Sequence, residues 1–149
     1  MSDALIDVLL AEREIHRTLV AIERAMDERD WGALGGMLLP DATADLGMGT
    51  LMGREAIIGL IRSFLDACGP TQHLLGNVLI AVQGDEATSR AYVSDVHKGT
   101  GEKSALTFST LGDYHDRWRS VEGIWRLVHR TKLNRATLGD ISIFERGTG

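Results

Sequence analysis

The chain has 149 residues, of which 44 % are hydrophobic and 25 % charged, with a formal net charge of -5. That length suits one domain with a sizeable core, and the acidic balance weighs against a general nucleic-acid binder. The lone Cys68 excludes an internal disulfide framework or a multi-cysteine metal site and points to a reducing, cytoplasmic compartment. No apolar run reaches the roughly 18 residues of a membrane span, and the amphipathic start is unlike a signal peptide.

Residues Asp3 to Arg29 carry Leu5, Val8, Leu9, Ile15, Leu19, Ile22 and Met26 at helical spacing, with charged residues between them. His16, Val20 and Asp27 run along one edge of that apolar face, so Asp27 can lean inward. A short second helix is expected from Trp31 to Leu39, stopped by Pro40. Ala42 to Leu46 and Thr50 to Met52 read as a hairpin, and Arg54 to Cys68 as a third helix ended by Gly69-Pro70. Four strands are expected next: His73 to Val82, Glu86 to His97, Ser104 to Arg119 with a bend at Gly112, and Ile124 to Asn134. The tail after Arg135 has no clear period. Helices followed by hairpin-linked strands predict an α+β fold, with about three N-terminal helices packed on one face of a curved antiparallel sheet. The concave face of such a sheet is where a pocket forms.

The segments Asp27-Glu28-Arg29-Asp30-Trp31, Leu38-Leu39-Pro40-Asp41-Ala42, Gly53-Arg54-Glu55-Ala56-Ile57, Thr71-Gln72-His73-Leu74-Leu75-Gly76-Asn77, Tyr114-His115-Asp116 and Gly123-Ile124-Trp125-Arg126-Leu127 follow one another in a telling order. Together they resemble the SnoaL-like branch of the nuclear-transport-factor-2-like superfamily, across nearly the whole chain. The resemblance implies a cone-shaped half-barrel enclosing a pocket. It also places Asp27 and His73 at the positions of the Asp-His dyad of two lyase groups, the scytalone dehydratases and the hexachlorocyclohexane dehydrochlorinases. Arg130 resembles a cationic position of the dehydrochlorinases. Ile22, however, stands where those enzymes place a basic residue five positions before the dyad Asp, which weighs against dehydrochlorination itself.

The residues fit elimination chemistry. A neutral His73 can take a proton from an acidic C–H, and Asp27 on its other ring nitrogen would fix the tautomer, stabilise the imidazolium and raise the imidazole pKa. The reverse assignment, Asp27 as base and His73 as acid, is equally open. Four further side chains are candidates for substrate binding. Strict alternation puts Arg126, Val128 and Arg130 on one strand face and Trp125, Leu127 and His129 on the other; an inward Arg130 would stabilise an enolate or leaving group. His97 shares a face with Asp95 and is a second acid or, alternatively, a surface strand-end residue. Tyr114 could orient a carbonyl through its phenol or sit at a rim. Asn77 shares a face with His73 by the same alternation. No metal is expected, since paired histidines at helical spacing and Cys-x-x-Cys are absent, and no cofactor, since no Gly-x-Gly-x-x-Gly or Walker-type loop occurs. Three functions remain: a lyase of the dehydratase type acting on a small hydrophobic, cyclic or polyketide-like substrate, an isomerase or cyclase, and a non-catalytic binding or assembly domain. A homo-oligomer, dimer or trimer, is expected in each case.

Overall fold

The computed structural model describes residues 2–145. Helix α1 spans Asp3–Asp27, α2 Trp31–Gly36 and α3 Arg54–Leu65; the strands are β1 Leu38–Asp45, β2 Thr50–Met52, β3 Thr71–Gln83, β4 Glu86–Lys98, β5 Thr107–Val121 and β6 Ile124–Gly139. Ser2 caps α1 by accepting from the Leu5 amide, and Asp30 caps α2 by accepting from Ala33, each satisfying an amide that the first turn leaves free.

The six strands form one curved, unclosed sheet in the order β2-β1-β6-β5-β4-β3. The helices and curved sheet make the α+β cone expected from the sequence. One pairing departs from the antiparallel expectation: β1 runs parallel to β6. The second helix also ends earlier, because Leu38 and Leu39 are both buried in β1. Pro40 therefore lies inside a strand, within the stretch between Leu38 and Thr43 where the ladder to β6 is interrupted; a residue without an N–H is tolerated there.

Strand β4 shows the pattern that fixes the layers. Its residues alternate exposed and buried without a break, with Ala87, Ser89, Ala91, Val93, Asp95 and His97 inward. The core beneath this face is built from Ile15, Leu19, Ile22 and Met26 of α1, Leu34 of α2, Ile57 and Leu65 of α3, and Trp118, Trp125 and Leu127 of the sheet. The tail that carries no sequence period continues β6 to Gly139, paired with Phe108 of β5, and then makes a 3-10 turn over Ile141–Phe144. That turn brings Phe144 edge-on to Phe64, Phe108 and His97, closing one side of the cone.

Candidate active site

A cavity of about 310 Å³ opens between the helices and the concave face of the sheet. Met26, Leu60, Ile61, Phe64, Phe108 and Phe144 supply apolar wall, and His73, His97, Tyr114, Arg130 and Lys132 supply the polar groups. A mostly apolar enclosure with a few convergent polar groups is the usual form of a small-molecule site.

His73 lines this cavity, and Asp27 meets it from behind, in an adjoining groove with Glu23 and Thr71. Asp27 stands in the last turn of α1 and His73 near the start of β3, so the packing of that helix end on that strand end joins them. His73 Nδ1 lies 2.7 Å from Asp27 Oδ1, the His73 backbone amide donates to Oδ2 at 3.1 Å, and the Thr71 hydroxyl donates to Oδ1 at 2.9 Å. Burial alone would raise the Asp27 carboxyl, but the hydrogen bonds from His73 and Thr71 outweigh it and hold the group below its ordinary value. An ionised Asp27 makes Nδ1 the protonated nitrogen. Nε2 then carries the lone pair, and it has no hydrogen-bond partner among the described residues. Arg29 braces the arrangement. It donates to Thr71 Oγ1 at 2.8 Å, to the Gly69 carbonyl at 2.8 Å and to the Met26 carbonyl at 2.9 Å, tying the end of α1 to the loop before β3.

His97 is buried in the same cavity and is not a surface residue. Its ring stands perpendicular to that of His73 with 5.5 Å between centroids. Its Nδ1 donates to the Phe108 carbonyl at 2.9 Å. Burial pushes its pKa down, and the neighbouring Asp95 only partly offsets this.

Arg130 does point inward, but strict alternation is not how it gets there. The β5–β6 register shifts between Arg117 and Trp118, which pair with His129 and Leu127 and leave Val128 as an extra residue. This bulge lets Trp125, Leu127 and Arg130 all face the interior, so the two sets of side chains are not exclusive. His129 instead bonds the Thr43 and Thr131 hydroxyls. The Arg130 guanidinium grips Asp116 with two hydrogen bonds of 2.9 and 2.8 Å, reaches Glu23 at 3.3 Å, and stacks 3.7 Å above the Tyr114 ring. Tyr114 is buried rather than at a rim, with its phenol 3.4 Å from Glu23. Burial raises the Tyr114 phenol well above its ordinary value, and it raises Glu23 against the pull of Arg130.

Asn77 corrects the expectation made for it. Its backbone has φ 50 and lies in a register shift between Gly76 and Leu79. The shift turns Asn77 away from His73, into a separate surface groove shared with Arg90, Tyr92 and Asp113, and it takes no part in the cavity.

Several polar groups were not singled out in the sequence. Glu23 precedes Asp27 by four residues on the same helix face, Asp95 precedes His97 by two, and Lys132 follows Arg130 by two; extending each period by one step finds them. Lys132 Nζ bonds Asp95 Oδ2 and Thr110 Oγ1, both at 2.9 Å. Asp95 Oδ1 also accepts from the Thr110 amide at 2.8 Å, and Oδ2 from its hydroxyl at 2.6 Å. Burial would raise Asp95, but Lys132 and Thr110 outweigh it and keep the carboxyl below its ordinary value. His73, Asp95 and His97 each offer one possible ligand atom within 4.8 Å of the others. The Lys132 ammonium already neutralises that carboxylate, and His97 Nδ1 is committed to a carbonyl, so this donor set is poorly suited to a metal ion.

The SnoaL-like domain family matches residues 7–131. The chain belongs to that family. A protein of Mycobacterium tuberculosis, the uncharacterized Rv2910c, is 31 % identical over 121 residues, covering 80 % of this chain and 82 % of its own. Among solved structures, a hexachlorocyclohexane dehydrochlorinase (LinA, type 2) superposes with TM-score 0.81 at 19 % identity, covering 91 % of this chain and 92 % of its own. A candidate scytalone dehydratase of Novosphingobium aromaticivorans gives 0.79 at 22 %, covering 87 % of each chain. At such identities the likeness establishes the cone-shaped fold alone and leaves the reaction to the residues of this chain.

Proposed function

We propose that this SnoaL-like protein is a cofactor-independent lyase of the dehydratase type, with Asp27 and His73 as its acid/base dyad. The observation that carries the reading is the 2.7 Å contact between Asp27 Oδ1 and Nδ1 of His73, a histidine that lines a mostly apolar cavity. In this reading His73 Nε2 takes a proton from a carbon next to an electron-withdrawing group. Asp27 balances the charge on the resulting imidazolium. The imidazolium then gives that proton to the departing hydroxyl, so that water leaves and a double bond remains. Such acid/base assistance is typically worth about 10²–10⁴-fold in rate. Tyr114 and His97 shape the polar side of the pocket around a small hydrophobic or aromatic substrate, and Arg130 fixes Tyr114 and Glu23 in place.

The same atoms support an isomerase or cyclase reading, in which His73 returns the proton to another carbon of the substrate. The Nε2 atoms of the neighbouring His73 and His97, without partners among the described residues, could both carry that proton. Product mass separates the two across a panel of small cyclic β-hydroxy ketones. Loss of water supports the lyase, and an unchanged mass with deuterium taken up from D₂O supports the isomerase. Stabilisation by ligand without either change would support a non-catalytic binding domain. Asp27→Asn and His73→Ala should each abolish turnover with the fold retained; substantial activity in either variant defeats the dyad.

We also propose a homo-oligomer. Leu74, Leu79, Leu111, Leu133 and Leu138 stand between 46 % and 66 % exposed on the outer face of the sheet, an apolar area of the kind that partner subunits cover. A monomer mass by light scattering would refute it. Among the described residues no helix is long and apolar enough to cross a membrane.

A further inference from the structure

Two cations line the cavity, and they are not equivalent. Arg130 is held between two carboxylates, Asp116 and Glu23, with its guanidinium flat on Tyr114. An anion brought to Arg130 would therefore also approach both of those carboxylates. Lys132 shares a single carboxylate, Asp95, whose two oxygens also accept from the Thr110 amide and hydroxyl. The charge of Asp95 is spread over these donors. A lysine ammonium has three N–H groups. Asp95 and Thr110 take two of them, and the third has no partner among the described residues. The backbone makes room for this placement. A Cβ at Gly112 would lie 2.8 Å from Lys132 Cε and 2.7 Å from Val93 Cγ1, so the glycine leaves the space through which the lysine stem crosses β5 to reach Asp95.

From this geometry we infer that Lys132 is a catalytic residue, the preorganised cation that receives the oxyanion formed when His73 removes a proton. The inference rests on the lyase reading for its place in the reaction, and it narrows the substrate to a compound whose carbonyl is conjugated to the acidic C–H. The proton passes to His73 Nε2, and the C–H electron pair moves into the conjugated system. The carbonyl oxygen takes the negative charge against the third N–H of Lys132. As the pair returns, the leaving hydroxyl departs with the proton from His73, and water is released. Base and cation face one space, since His73 and Asp95 offer ligand atoms within 4.8 Å and Lys132 bonds that same carboxylate. A donor fixed where charge develops is worth more in a dry pocket than in water.

A phenolate imitates such a conjugated oxyanion, so 4-nitrophenol is the probe, its ionisation read by absorbance and its affinity by calorimetry. Wild-type protein is expected to bind the phenolate in preference to the phenol. Lys132→Met should weaken phenolate binding at least tenfold and leave neutral phenol as the bound form. Because Lys132→Met alone strands Asp95, the Asp95→Asn/Lys132→Met pair is measured beside it, with folding checked by circular dichroism, and should show the same loss. A folded double variant that binds phenolate as tightly as wild type would make Lys132 a mere counter-charge for Asp95 and overturn the inference. Wild-type protein that takes only neutral phenol, or no probe, overturns it as well. The readout is binding, so a failure of the dyad to turn over any substrate would count against the lyase reading and not against the oxyanion site.

Discussion

The cavity wall holds two polar clusters built to opposite ends. In one, Arg130, Asp116, Glu23 and Tyr114 are all buried and bonded to one another. In the other, His73, His97 and Lys132 are anchored from behind by Asp27, Phe108 and Thr110, and each keeps a donor or lone pair without a partner among the described residues. A charge whose hydrogen bonds go to fixed partners contributes position. A group with one end tied and the other free can exchange a proton or meet a ligand. Burial and charge alone therefore do not distinguish the two cations: Arg130 is the more buried, yet two carboxylates and the Tyr114 ring occupy its guanidinium.

Breaking the closed cluster should have the largest effect. Arg130→Met leaves Asp116 and Glu23 buried without their cation, and removing one partner of a buried ion pair costs about 3–5 kcal/mol. The urea midpoint should fall accordingly or the protein should fail to fold; a shift under about 1 kcal/mol, the scale of an exposed pair, would mean the cluster is solvated. Gly112→Ala comes next. Its methyl group meets Val93 and Lys132 at 2.7 and 2.8 Å, an overpacking worth about 1–3 kcal/mol. It should weaken phenolate binding along with stability, because Lys132 must move; unchanged binding would separate the glycine from the lysine's placement.

The smallest effect is a pH slope. Burial holds the His97 imidazole below its ordinary value in the folded protein. The unfolded chain takes up that proton near pH ~6.5 while the folded one does not, so stability should fall as pH drops below ~6.5 and level off once the folded imidazole titrates. Asp27, held low in the folded state, adds its own loss only at more acidic pH, below ~4. Melting temperatures from pH 8 to 5 should show the first slope in wild type and a flatter line in His97→Leu. An equal slope in both would assign it to another group.

The parts of the fold legible in the sequence were those with an unbroken period: the apolar stripe of α1, the stripe of α3, and the alternation of β4. What escaped depends on partners distant in sequence. The bulges at Asn77 and Val128 answer to the register of β4 and β5, and each moves side chains to faces that alternation forbids. Strand β6 runs on to Gly139, and the turn beyond it forms, because β5 is there to pair and Phe64 is there to pack. In the site, family resemblance brought Asp27 and His73 together as a candidate pair, and inward Arg130 followed from it. The closed and open characters of the two clusters could not be read from sequence, because they depend on which partners Glu23, Asp95 and Lys132 meet once helix and strands are stacked.

The pairing of Asp27 with His73 can be tested without a substrate. Nitrogen-15 NMR of the histidine rings, in wild type and in Asp27→Asn, reports which ring nitrogen of His73 carries the proton. We expect neutral His73 as the Nδ1–H tautomer in wild type, with Nε2 unprotonated, and a mixed or reversed tautomer in the variant. A wild-type His73 protonated on Nε2, or a tautomer indifferent to Asp27→Asn, would contradict the dyad and remove the base from the proposed reaction.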